Sequence, residues 1–131
     1  MDHDAIDLSH QQELLQWATP ELLAECADLD ELHALRARYD PAAFASYVLR
    51  DEQTHKPIQL QPMHEEWHSL ANNHKRLLLW AHVEAGKTQQ MSIARSLWEI
   101  GRNPNIRVCC VSNTYGLSTQ VCMTVAKYIE S

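Results

Sequence analysis

No apolar run in these 131 residues approaches the length needed to span a membrane, and the start Met1-Asp2-His3-Asp4 is polar and acidic, unlike a secretory leader. A cytosolic setting is the expectation. Cysteines stand only at positions 26, 109, 110 and 122, with no CxxC spacing; Cys109 and Cys110, being adjacent, would face opposite sides of a strand as reduced core residues. Basic charge is scarce in the first half. Residues 1–55 carry 3 basic against 12 acidic groups (net −9), a balance that repels DNA phosphate. Residues 56–131 carry 8 basic against 5 acidic groups (net +3), so a DNA contact would lie there or outside this chain. Carboxylates are also rare late in the chain. After Thr88 only Glu99 and Glu130 remain, and neither ends an apolar run.

What is present centres on eight residues, Ala81, His82, Val83, Glu84, Ala85, Gly86, Lys87 and Thr88. They match the phosphate-loop pattern GxxxxGK[ST] except that Ala81 replaces its first glycine. In such a loop, successive main-chain N–H groups form an anion-binding hollow, and the start of the following helix adds partial positive charge. Gly86 would let the backbone approach a phosphate oxygen, Lys87 would reach the β and γ phosphates, and the Thr88 hydroxyl would coordinate Mg²⁺. Alanine at position 81 costs roughly 1 kcal/mol or more if that position requires a positive φ, and nothing otherwise.

The flanks have the order the motif requires. Residues 76–81 (RLLLWA) read as a short buried strand, and the stretch from Lys87 to Ile100 as a helix with Met91, Ala94, Leu97 and Trp98 on one face, stopping at Gly101. Residues 106–111 (IRVCCV) read as the next strand, so residues 76–111 form one βαβ unit. The expected fold class is α/β: a partial P-loop NTPase with a parallel sheet over 56–131, preceded by a helical segment over 1–55. Within that segment Ser9 caps a helix through Trp17, Thr19-Pro20 starts another through Ala27 or beyond, and Asp40-Pro41 starts a third through Leu49. Residues 50–56 form the joint. The helical segment suits a lid, a docking module or a plain cover on the sheet.

Four segments, 40–49 (DPAAFASYVL), 61–67 (QPMHEEW), 76–80 (RLLLW) running into the loop, and 107–114 (RVCCVSNT), together resemble the N-terminal part of a tailed-phage terminase large subunit. That resemblance implies an ATPase that uses ATP and Mg²⁺ to drive double-stranded DNA into a capsid. Further implications are a portal protein and a small terminase subunit as partners, homo-oligomers of the complete protein, and the cytoplasm of an infected bacterium as its place. The family often has an arginine near the start of the loop. Here the second position is His82, and an arginine's role does not transfer to it. The resemblance also implies an acidic strand end bearing a metal-positioning Asp and a catalytic Glu, and a nuclease domain with an acidic metal cluster. None of these is in the sequence, and Ser131 falls within a helix-like stretch from Leu117 to Glu130, so the chain reads as a fragment.

Related translocating ATPases place an adenine-reading glutamine upstream of the loop, and Gln61 is the candidate here, since an amide donates and accepts at once. Ser112, Asn113 and Thr114 follow the second strand, where ligands often bind, although Thr114 or Ser118 also suits a helix cap. A rival constellation is His64-Glu65-Glu66-Trp67-His68, an HExxH sequence with His74 at the position of a third zinc ligand. A zinc hydrolase would use His64 and His68 as ligands and Glu65 as base. Against it, Ala71 stands where the three-histidine pattern has glycine, Glu66 brings an interior charge, and the stretch feeds directly into the phosphate loop. The plainer expectation has Trp67 and Leu70 packed inward and both histidines half exposed.

Overall fold

A computed structural model describes residues 8–131, with side chains from Gln11 onward. Helices α1 (Leu8–Trp17), α2 (Pro20–Glu25), α3 (Leu29–Tyr39) and α4 (Pro41–Val48) follow one another closely. Their starts are set by side chains that accept main-chain N–H groups a helix cannot satisfy itself. Thr19 Oγ1 accepts from Leu22 at 3.4 Å, Asp28 Oδ1 from Glu31 at 2.8 Å, and Asp40 Oδ1 from Ala42 at 2.9 Å. Thr19 and Asp40 were legible as caps. Asp28, a cap that the sequence reading overlooks, starts a separate α3 at Leu29, and the second expected helix ends at Glu25. Here Glu31 reaches back to the Ala27 N–H at 2.7 Å, a reciprocal cap carried by the Asp-x-x-Glu spacing.

A turn over residues 51–54 joins α4 to the rest. Asp51 Oδ1 accepts from the N–H groups of Gln53 and Thr54 and from the Thr54 hydroxyl, and these bonds hold its carboxyl below the usual range. Helix α5 (Pro62–Asn73) follows, then the loop, a π-helical segment (Thr88–Ala94), α6 (Arg95–Arg102) and α7 (Tyr115–Glu130). Thr114 caps α7, accepting from Leu117 at 3.4 Å. The helix after the loop thus begins with a wide π turn, which its apolar spacing does not announce, and it runs one residue past Gly101.

The core lies where α4 meets the π segment and α6. Ala45, Leu49, Ile93, Ala94 and Leu97 form its buried cluster, with Phe44, Val48, Val121, Val125 and Tyr128 packed around it. Alanine at 45 and 94 allows the backbones to come close, so α4 serves as the central helix of the described residues. Trp98 ties α6 to α3. Its ring is buried, its indole N–H donates to the Ala37 carbonyl at 3.2 Å, and the guanidinium groups of Arg95 and Arg102 lie 4.7 and 4.3 Å from the ring centroid.

The expected α/β architecture is overturned. No strand or sheet occurs among the described residues; their regular elements are helices, with a lone antiparallel bridge between Arg50 and Pro57. Residues 76–81 and 106–111 form no ladder, so there is no parallel sheet and no βαβ unit. The physical reason is pairing: an apolar run becomes a strand only when a neighbour takes up its main-chain donors and acceptors. Without one, Leu78, Trp80 and Val111 stand exposed instead of lining a core. Nor are all the cysteines core residues. They are free thiols, but Cys109 and Cys122 are exposed.

Candidate functional site

The loop between Ala81 and Thr88 takes its shape from two left-handed residues, Glu84 (φ 65°) and Gly86 (φ 85°). Ala81 is not among the residues with positive φ, so the missing first glycine causes no strain at that position. The demand falls instead on Glu84, a residue type that adopts this region at a cost of roughly 1–2 kcal/mol. Within the loop, the Ala85 N–H donates to the His82 carbonyl at 3.3 Å. The amides of Val83, Glu84 and Gly86 find no acceptor among the described residues. Lys87 folds back across the loop, and its ammonium donates to the Ala81 carbonyl at 3.0 Å.

The two histidines of the HExxH sequence hold this loop and the helix that leaves it. Both are buried, not half exposed. Because α5 begins at Pro62, His64 sits in its first turn and accepts the Gln61 N–H on Nδ1 at 3.1 Å. Its proton must therefore be on Nε2, which donates to the Ala85 carbonyl at 2.7 Å. The ring also stacks edge-on against Trp67, with 5.0 Å between centroids. One turn later, His68 Nε2 pairs with Gln90 Oε1 at 2.9 Å, inside the π segment. Burial depresses the His68 pKa below its ordinary value, and its buried Nδ1 has no hydrogen-bond partner among the described residues.

Sequence reasoning placed Ala81, His82, Val83, Glu84, Ala85, Gly86, Lys87 and Thr88 in one loop, and the structure keeps them together. His82, Val83 and Glu84 are exposed, Ala85 is buried beneath them, and Thr88 is exposed at the first position of the π segment. Gln61 joins them indirectly, through the bond from its main chain to His64. What the sequence reading missed is that His64 contacts the loop at all; the four-residue spacing places His64 and His68 on one face of α5 but does not say what that face meets.

The zinc constellation is not assembled. Among the described residues no group of three or more His, Cys, Asp or Glu side chains is placed to hold a metal. Both His64 nitrogens are engaged, Glu65 is exposed, and exposed His74 caps the end of α5, its Nδ1 lying 3.1 Å from the Leu70 carbonyl. Ser112 and Thr114 belong to the start of α7, where Ser112 Oγ donates to the Thr114 carbonyl at 2.5 Å. A groove of about 940 Å³ lies apart from the loop, between α7, the 50–55 turn and the π segment, and is lined by Gln89, Ile93, Tyr115, Met123 and Tyr128. No residue of 81–88 lines it.

Compared with protein-family models, curated proteins and solved structures, the chain matches none. No helix among the described residues is long and apolar enough to cross a membrane.

Proposed function

We propose that the loop 81–88 binds the phosphates of a nucleoside triphosphate, ATP with Mg²⁺, and that the chain contributes this nucleotide grip to a DNA-packaging ATPase of the terminase kind. The observation that carries the reading is the set of amides at Val83, Glu84 and Gly86 that find no acceptor among the described residues, in a loop whose Lys87 ammonium reaches back to the Ala81 carbonyl. Several main-chain donors without acceptors, next to a cation, form a hollow suited to a polyanion. Lys87 exchanges the Ala81 carbonyl for a phosphate oxygen, a stronger charge-assisted partner. Thr88, exposed one residue further on, is the residue that would hold Mg²⁺, which when bound neutralises part of the phosphate charge.

Hydrolysis needs a carboxylate held in place to position the attacking water, and the loop's own Glu84 is exposed, with no side-chain hydrogen bond or ion pair among the described residues to fix it. Of the two carboxylates after Thr88, Glu99 is engaged by Arg95 at 2.7 Å and Glu130 ends α7. The chain therefore binds nucleotide without turning it over. Translocation of double-stranded DNA, and contact with a portal and a small subunit, belong to the larger assembly in this reading. Calorimetric titration with ATP and Mg²⁺ tests it: saturable binding that Lys87→Ala weakens at least about tenfold is expected. Wild-type protein that fails to bind, or a Lys87→Ala variant that binds as well, refutes the reading.

A further inference from the structure

The bond from His64 to the loop has a consequence for the direction of a neighbouring amide. A trans peptide is planar, so the carbonyl of one residue and the N–H of the next point to opposite sides. His64 Nε2–H holds the Ala85 carbonyl toward α5 at 2.7 Å, which turns the Gly86 N–H away from α5, where no acceptor among the described residues meets it. The imidazole cannot slide, since Nδ1 is fixed by the Gln61 N–H and the ring lies against Trp67. A side chain at position 86 would reach within 3.4 Å of His64 Nε2, so the contact is close as well as polar.

We propose that His64 is a positioning residue for the phosphate hollow: through the Ala85 carbonyl it aims the Gly86 amide at the anion. This rests on the nucleotide reading above and adds a residue outside the loop motif. The neutral imidazole acts as a rigid spacer, accepting at the helix start and donating at the loop. Loss of the donor frees the 85–86 peptide to rotate, and an amide that must be ordered on binding lowers affinity.

Two substitutions separate this role from simple capping of α5. In His64→Asn the side-chain amide falls near the position of Nδ1 and can serve the Gln61 N–H but not the Ala85 carbonyl. In His64→Gln it extends to the position of Nε2 and can still donate to Ala85. Titration with ATP and Mg²⁺, with thermal unfolding followed in parallel, is expected to give His64→Gln within about threefold of wild type and His64→Asn weaker by about tenfold or more. The Gly86 amide, followed by ¹⁵N NMR, should shift on nucleotide addition in wild type and His64→Gln, and far less in His64→Asn. If His64→Asn binds as wild type does, or His64→Gln binds no better than His64→Asn, the positioning role is wrong while the nucleotide reading stands. If wild-type protein does not bind at all, both fall.

Discussion

Replacing Gly86 by alanine tests whether the loop is held in its described conformation. At φ 85° an L residue is held in the left-handed region, which its Cβ disfavours at a cost of roughly 1–2 kcal/mol. Space is a smaller concern: the added carbon would meet His64 Nε2 at 3.4 Å and Cε1 at 3.7 Å, an ordinary van der Waals approach. Backbone strain therefore decides the outcome, and for a chain of this size 1–2 kcal/mol lowers the Tm by roughly 3–10 °C. Asparagine enters the left-handed region more readily than alanine, so Gly86→Asn should lose less than Gly86→Ala. Thermal unfolding followed by circular dichroism at 222 nm reads both. Equal Tm values for wild type and Gly86→Ala, or an asparagine variant less stable than the alanine one, would refute the argument that φ governs this position.

Two further outcomes follow from other parts of the molecule. His68 is buried with a pKa pushed below its ordinary 6.5, mainly by desolvation, so the unfolded chain takes up its proton at a higher pH than the folded one does. Its contribution to stability is complete above pH 6.5, declines as pH falls below that value, and stops changing below the depressed folded-state value. Urea unfolding between pH 5 and 8 should show a smaller pH slope in His68→Gln than in wild type, and equal slopes would contradict the assignment. The bare apolar segments make a separate prediction. The chain exposes 9922 Å², against about 7,100 Å² for a compact monomer of its 15.1 kDa mass. Leu78, Trp80 and Val111, each at least 80% exposed, contribute to that excess. Concentration-dependent association is expected in analytical ultracentrifugation, reduced by Trp80→Glu. Ideal monomer behaviour of the wild type across the micromolar range would count against it.

Local signals carried the helical half and the loop boundaries. Thr19-Pro20, Asp40-Pro41 and Thr114 cap their helices through atoms at most three residues away, and a bond of that reach is legible from a short window. Gly86 stands in the left-handed region, which the sequence reading, taking it for close approach to a phosphate, does not state. Asp28 and Glu31 carried an equally local signal that the reading overlooked. Leu15 and Leu23 shared the apolar spacing of Leu14 and Leu32, yet the first pair is exposed and the second buried. Periodicity marks a face without saying what covers it.

From sequence alone came the helix starts at Thr19-Pro20, Asp40-Pro41 and Thr114, and the place where the chain turns back with a lysine and a glycine, since these depend on atoms a few bonds apart. Tertiary structure decided the rest. Whether 76–81 and 106–111 would be strands depended on partners remote in the chain, and among the described residues they have none. Whether His64 and His68 would bind metal or brace a loop depended on Ala85 and Gln90, each more than twenty residues away, arriving within 3 Å of their Nε2 atoms. No short window contains both ends of such a contact, and so no local rule could assign it.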